Sequence, residues 1–236
     1  MIRSFYLFIS FYVSNFVFQS TFKLFYMDSK SSYFEDLKII KKVMEESSRF
    51  LSLSGLSGLF AGLIALAGAT VAGLLIMKPG ILLTDEYFTG LSAGSSGMQR
   101  GLLIIDAMLV LVAALGISVY LSYRRALRQG LKIWTPVSKR LLVNLLIPLA
   151  TGAIFIIILY VQHQWHLIIP AMLIFYGLSL VSAGKFTYSE VFYLGLTEIL
   201  TGLLCAVFPV YGFFFWCVGF GFLHIAYGLF MYRKYE

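Results

Sequence analysis

Six runs of apolar residues, each long enough to cross a bilayer, constrain this chain more than any other feature of its sequence. An α-helix rises about 1.5 Å per residue, so about 20 residues cross the ~30 Å hydrocarbon core. The runs are Leu51 to Met77, Gly101 to Tyr123, Leu141 to Gln162, Leu167 to Gly184, Val191 to Pro209 and Tyr211 to Tyr232. They predict an all-α fold, a polytopic transmembrane bundle of six spans arranged as three helical hairpins.

Composition and motifs exclude several functional classes. Only 12% of the residues are charged, about half the usage of a soluble domain. The net charge of +7 comes from basic residues between the apolar runs, so it calls for no nucleic-acid partner. The sequence contains no HExxH, GxSxG, Walker or dinucleotide-binding motif. We therefore expect neither an enzyme nor a bound cofactor, and the expected surroundings are a lipid bilayer.

The basic residues also predict an orientation, because Lys and Arg near span ends are retained in the cytoplasm. If residue 51 begins on the inside, fourteen Lys and Arg residues lie inside and two outside. The outside pair is Lys78 and Arg100; the inside set is Lys30, Lys38, Lys41, Lys42, Arg49, Arg124, Arg125, Arg128, Lys132, Lys139, Arg140, Lys185, Arg233 and Lys234. The sequence thus predicts cytoplasmic amino and carboxyl termini.

The region before the first span divides at Met27. Residues 1–26 are rich in Phe and Tyr but are broken by Ser, Asn, Gln and Thr. We interpret them as a non-native extension that precedes a true start at Met27, the alternative being an extra hydrophobic helix. Residues 27–50 contain apolar side chains at spacings of three and four, which predict an amphipathic helix on the cytoplasmic surface. Residues 51–236 form the predicted six-span membrane domain.

Small residues recur along the first span and predict close helix packing. One face carries Gly58 and Gly62, and another carries Ala65, Ala69 and Gly73. Small side chains let helix backbones approach in a membrane, where hydrophobicity does not drive association. The packing is expected within the chain, and a homo-oligomer is the alternative.

Three ionisable residues fall inside the spans and are the candidate functional residues. Glu198 lies thirteen residues before Tyr211, in the turn between the last two spans, and His224 lies thirteen after it. The two should therefore sit at equal depth, roughly 20 Å from that turn. A charge at that depth is costly, so we expect them to pair. Asp106 is the third, and it lies close enough to the start of its span to reach the interface.

Two further pairs of potential metal or disulfide residues are weaker. His163 and His166 lie one turn apart in an outer loop, without a carboxylate or thiol nearby. Cys205 and Cys217 are symmetric about the turn at Tyr211 but match no metal-binding spacing. We expect no metal site and two buried thiols.

Two stretches of the chain carry a resemblance to known proteins. They are ESSRFLSLSGLSGLFAG at 46–62, and YLGLTEILTGLL followed by FWCVGFGFLHIAYGLFMYRKYE within 193–236. From residue 35 onward the chain resembles an uncharacterised family of bacterial six-span inner-membrane proteins. The resemblance implies a bacterial cytoplasmic membrane and an amino terminus near Met27. It implies no activity.

Two hypotheses for the function follow from these residues. The first is a structural or regulatory membrane protein that binds protein partners through its small-residue faces and its amphipathic helix. The second is a small proton-coupled transporter or permease that uses Glu198 and His224. The low polar content of the spans favours the first, and a water-filled cavity at Glu198 would favour the second.

Overall fold

The computed structural model describes residues 53–76, 97–130 and 134–235, all but a few of them helical. Five spans are continuous helices: α1 (Gly55–Ile76), α2 (Gly97–Arg128), α3 (Pro136–Val161), α4 (Ile168–Gly184) and α5 (Ser189–Val207). The last span, α6, covers residues 212–235. It is α-helical over Gly212–Trp216, π-helical over Cys217–Leu223 and α-helical again over His224–Tyr235. Short 3-10 turns, Trp165–Leu167 and Pro209–Tyr211, precede α4 and α6.

The described helices confirm the prediction of an all-α fold with six helices long and apolar enough to cross a membrane. The chain is therefore a multi-pass membrane protein. The predictions for residues 1–26 and for the amphipathic helix at 27–50 lie outside the described residues.

The start of α3 shows how local sequence fixes a helix end. Thr135 is the N-cap, its side chain accepts a hydrogen bond from the amide of Ser138, and Ser138 in turn accepts from the Thr135 amide. Pro136 occupies the first helical position, where its missing N–H costs nothing. The apolar run had placed the start of this span several residues later, so the cap is the better guide to the boundary.

The helices pack in the order α2, α1, α6, α5, α4, α3, and the first turn of α6 also touches α4. Each pair predicted as a hairpin is in contact. The contacts of α1 with α6 and of α4 with α5 are extensive as well, so the grouping into three hairpins stays a prediction. The arrangement places α1, α4, α5 and α6 at the centre of the described bundle.

Glycines set the close approach of α1 to α6. A Cβ atom on Gly55 would lie 2.9 Å from the carbonyl oxygen of Gly228, and one on Gly228 would lie 2.8 Å from that of Gly55. Two turns along, a Cβ on Gly62 would lie 2.6 Å from the carbonyl oxygen of Gly221. No larger side chain fits at these backbone contacts, so the predicted small-residue face of the first span packs within the chain.

Polar contacts join the helices at the end where α2 and α6 finish. The Arg125 guanidinium donates to the carbonyl oxygens of Leu53, at 2.6 Å, and of Tyr235, at 3.0 Å. Nearby, Lys234 Nζ lies 2.5 Å from Glu190 Oε1, which also accepts from the Tyr235 hydroxyl. These contacts connect α1, α2, α5 and α6 outside the apolar middle of the bundle.

Candidate functional site

Three central helices each contribute one polar side chain to the same depth of the bundle. Tyr176 comes from α4, Glu198 from α5 and His224 from α6. The structure brings Glu198 and His224 together, with Oε1 of the carboxyl 3.4 Å from Nδ1 of the imidazole. Equal spacing on either side of the turn at Tyr211 had predicted this pairing.

Glycines position these side chains by letting three backbones meet. A Cβ on Gly177 would lie 2.6 Å from the carbonyl oxygen of Gly195, which holds α4 against α5. A Cβ on Gly219 would contact Leu173 and would lie 2.6 Å from Glu198 Oε2. The carboxyl of Glu198 therefore lies directly against the bare backbone of α6.

Glu198 is enclosed by protein and lacks hydrogen-bond partners. The residue is 0% exposed, and both carboxyl oxygens are buried without a hydrogen bond among the described residues. The 3.4 Å separation from His224 is short enough for electrostatic attraction. It is not a hydrogen bond, because Nδ1 is directed to another acceptor. The Glu198 carboxyl is thus kept away from water without gaining a hydrogen bond from the described residues.

His224 makes two hydrogen bonds through its ring. Nδ1 lies 3.0 Å from the carbonyl oxygen of Gly219, and Nε2 lies 2.7 Å from the Tyr176 hydroxyl oxygen. A carbonyl only accepts, so Nδ1 carries a proton and donates it. Nε2 then either accepts from the hydroxyl of Tyr176, when the ring is neutral, or donates to it, when the ring is charged. The hydroxyl suits both states, since it can donate or accept.

An aromatic and aliphatic shell covers the three polar groups. The ring of Phe220 lies 6.3 Å from that of His224 and 5.2 Å from that of Tyr176, measured between centroids. Leu173 and Cys205 are both 0% exposed and pack together on the adjacent side. In this conformation the site is closed, and electrostatic interactions inside it are strong because water is excluded.

The remaining residues predicted from the sequence lie elsewhere. Asp106 is on α2, partly exposed, and has no hydrogen bond or ion pair within the described part of the chain. Gly58 packs against Tyr227 and Gly228 of α6, so it lies on the same face of α1 as Gly62. On the second small-residue face of α1, Ala65 and Ala69 are buried and Gly73 is partly buried.

Reasoning from the sequence missed Tyr176 and the π-helical segment. A tyrosine in an apolar span has no distinguishing signal in a chain that contains fifteen. The π-helix did have one, because Gly219 and Gly221 alternate with aromatic residues at the depth of Glu198. Such alternation indicates a backbone that comes close to its neighbours.

The weaker candidate pairs do not form a site in the described residues. The structure places His163 and His166 on the surface, where the ring of His163 contacts Trp165, and no group of three metal-binding side chains occurs in the ranges described. Cys205 and Cys217 are free thiols; Cys205 is buried as expected, whereas Cys217 is only partly buried.

No protein-family model, curated protein or solved structure matches the chain. The family resemblance drawn from the sequence therefore stays a prediction, and the argument for function depends on the site itself.

Proposed function

We propose that this multi-pass membrane protein binds and releases a proton at Glu198, His224 and Tyr176, and that it works as a small proton-coupled transporter or permease. The observation that carries the proposal is the Glu198 carboxyl, whose two oxygens are buried beside an imidazole without a hydrogen bond among the described residues. The role proposed is non-enzymatic.

Stability gives no reason for a carboxyl in this place. A buried polar group left unsatisfied costs about 1–3 kcal/mol, and more if it is charged. Replacing a buried ion pair by apolar side chains of similar size is often neutral or stabilising. A purely structural link between α5 and α6 would be served better by such side chains or by a complete hydrogen bond. An ionisable group kept at this depth despite its cost is typical of a proton or ion path.

The neighbours of Glu198 suit a proton better than a metal cation. A cation of the size of Na⁺ or Ca²⁺ is normally bound by several oxygen ligands. Here Glu198 faces an imidazole, and the imidazole faces a phenol hydroxyl at 2.7 Å. Each of these groups can hold or pass one proton by changing between donor and acceptor.

The proposal includes a location in the cytoplasmic membrane of a bacterium, with both termini in the cytoplasm. The basic side chains of the described helices support this orientation, because they gather at the ends that six alternating crossings put on one side. Eight of the nine in the described ranges lie at these ends, and Arg100 lies at the opposite end of α2; the eight are Arg124, Arg125, Arg128, Lys139, Arg140, Lys185, Arg233 and Lys234.

A structural or regulatory role through protein partners remains the second candidate. The complete enclosure of Glu198 favours it, since no water-filled cavity reaches the carboxyl in the described part of the structure and an occluded pair can serve as a fixed link between helices. The small residues of α1 argue against one form of it, because Gly58 and Gly62 are already packed on α6 and offer no free face for a second copy.

Infrared difference spectroscopy on purified protein in lipid tests the proposal. The pH would be varied from about 4 to about 9, which brackets the ordinary values of carboxyl and imidazole. We expect a carboxyl band that changes with pH, disappears in Glu198→Gln and shifts in His224→Ala. Asp106→Asn is the matched control and should leave the band unchanged. A Glu198 band that is silent across the range would support the fixed link instead.

A further inference from the structure

The last span changes its helix type where it passes Glu198. The π-helical segment Cys217–Leu223 lies between two α-helical segments of α6, and His224 is the first residue after it. A π-turn contains one residue more than an α-turn, and such turns occur frequently at functional sites. The carboxyl of Glu198 faces this segment at Gly219.

The side chain of His224 is bonded back into the π-helical segment. Its Nδ1 donates to the carbonyl oxygen of Gly219, five residues earlier in the chain. Five residues complete one π-turn but about 1.4 turns of an α-helix. The bond therefore depends on π-helical geometry, and conversion to an α-helix would carry the imidazole around the helix axis and away from that carbonyl.

Gly219 also contacts the other partner of the pair. Its α-carbon faces Glu198 so closely that an added Cβ would lie 2.6 Å from Oε2. One short piece of backbone thus accepts a hydrogen bond from His224 and supports the carboxyl of Glu198. A change of helix type at this point would alter both contacts together.

Building on the proton site proposed above, we infer that the position of the shared proton sets the helix type of residues 217–223. With the proton on Nδ1, His224 donates to Gly219 and the π-helix is stabilised. On transfer, the Nδ1–H bond breaks, its electron pair stays on nitrogen, and an O–H bond forms on the carboxylate of Glu198. The ring keeps its second proton on Nε2, donated to the oxygen of Tyr176, and the net charge of the pair is unchanged in this step. As the pH rises, Glu198 then releases the proton, so the state without the Nδ1–H bond becomes favoured.

The transfer removes the donor on which the π-helix depends. The lone pair of Nδ1 then faces the lone pairs of the Gly219 carbonyl oxygen, which repel it, and the segment relaxes towards an α-helix. Because the segment joins the two α-helical parts of α6, residues 212–216 turn relative to residues 224–235, which the contact of Gly228 with Gly55 holds against α1. Proton movement over the 3.4 Å between Nδ1 and Oε1 thus becomes movement within a span, which is a change of the kind a transporter needs.

Few other ionisable groups face this pair. Tyr176 comes from α4, Cys205 from α5, and Tyr227 and Cys217 belong to α6 itself. On the other side of α6, helix α1 has no ionisable side chain between Gly55 and Ile76. Glu190 and Lys234 pair with each other at the end of the bundle. The protonation of Glu198 and His224 is thus expected to dominate the pH response of the segment.

The sequence allows the segment to be observed selectively by solid-state NMR in lipid. The chain has three Gly-Phe peptide bonds, beginning at Gly212, Gly219 and Gly221. Glycine labelled with ¹³C at the carbonyl and phenylalanine labelled with ¹⁵N select these three bonds alone. Two lie in the π-helical segment, and the one at Gly212 precedes it and serves as an internal reference. Labelled histidine reports the protonation of Nδ1 in the same sample.

We expect the Gly219 carbonyl signal to move with the loss of the proton from Nδ1 as the pH is varied, towards the position typical of an α-helix. The Gly212 signal should stay fixed. In Glu198→Gln, which removes the proton acceptor, the π-type signal should persist across the range, whereas Asp106→Asn should behave as the wild type does. Persistence of the wild-type response in Glu198→Gln would overturn the inference.

Two outcomes separate this inference from the proposed function. If Glu198 and His224 titrate while the Gly219 signal stays fixed, the helix switch is wrong and the proton site stands. If neither group changes protonation, the proton site itself is wrong, and the switch is wrong with it.

Discussion

The two most apolar spans of the bundle, α2 and α3, are also the two that the protein covers least. Almost every long side chain along α2 is exposed, whereas the less apolar α4 is buried over about half of its length. In a soluble protein the most apolar helices would be the most deeply buried ones. Here the outer helices face lipid, and the inner ones replace apolar bulk with glycine and a few polar groups.

The two carboxyls inside the spans show the same contrast. Asp106 lies on the outer helix α2 and is partly exposed, while Glu198 lies on the inner helix α5 and is 0% exposed. On a hydropathy scale, both residues are simply charged groups within an apolar run. Their surroundings differ, because only Glu198 has an imidazole within 4 Å. The comparison of inner with outer helices therefore separates a candidate proton site from a partly exposed carboxyl on an outer helix.

The largest expected effect comes from adding one methyl group on an inner helix. Gly228→Ala would drive a Cβ into the backbone of Leu59 and Gly55, and we expect the free energy of unfolding to fall by about 3 kcal/mol. Gly116→Ala on α2 is the control, because nothing lies within 4 Å of the added atom. It should leave stability unchanged or slightly raised, since alanine favours a helix over glycine. Equal losses in denaturant unfolding of the two variants would show that the inner contact is not tight.

Adjacent arginines on α2 give the next contrast. Arg125 donates to the carbonyl oxygens of Leu53 and Tyr235, whereas Arg124 is exposed. We expect Arg125→Gln to lower the free energy of unfolding by about 2 kcal/mol, since it removes charged hydrogen bonds to carbonyls at the bundle end. Arg124→Gln should have little effect on thermal unfolding in the same lipid. A larger loss of stability in Arg124→Gln than in Arg125→Gln would mean that α2 attaches to α1 and α6 through apolar contacts alone.

A third contrast decides between the proton site and a fixed link. If Glu198 is retained for chemistry, Glu198→Met should raise the free energy of unfolding by about 1.5 kcal/mol, because it removes an unsatisfied buried carboxyl and leaves a neutral imidazole that keeps both of its hydrogen bonds. Leu109→Met, on the exposed face of α2, should not change it. Chemical unfolding near neutral pH measures both. A clear loss of stability in Glu198→Met would instead identify the carboxyl as part of a stabilising pair.

Much of the architecture follows from the sequence because a bilayer sets the length of each span. The number of spans and the packing role of Gly58 and Gly62 are direct consequences of apolar length and small-residue spacing. The pairing of Glu198 with His224 follows from their equal distance from one turn. Such reasoning extends only to helices adjacent in the chain, so it places α5 beside α6 and says nothing of α4.

Tyr176 and the order of the helices could not be predicted for this reason. Which non-adjacent spans meet depends on the three-dimensional fit of faces such as that of Gly177 on Gly195, and several pairings of glycine-containing spans are consistent with the same sequence. The π-helix depends on a local choice between two backbone hydrogen-bond patterns. That choice is stabilised by the His224 side chain and by contacts from other helices, which periodicity along the chain does not describe.

The smallest expected effect is the loss of one hydroxyl. Tyr176→Phe removes the 2.7 Å hydrogen bond to Nε2 of His224 and should lower the free energy of unfolding by about 1 kcal/mol. Tyr193→Phe, whose exposed ring lies on the outer face of α5, is the control and should have no measurable effect. Histidine ¹⁵N spectra give the more informative result. With Nε2 left without its partner, Nδ1 should remain protonated and bonded to Gly219 if that bond alone sets the tautomer. A change of tautomer in Tyr176→Phe would show that the hydroxyl from α4 takes part in placing the proton, as the proposed three-helix site requires.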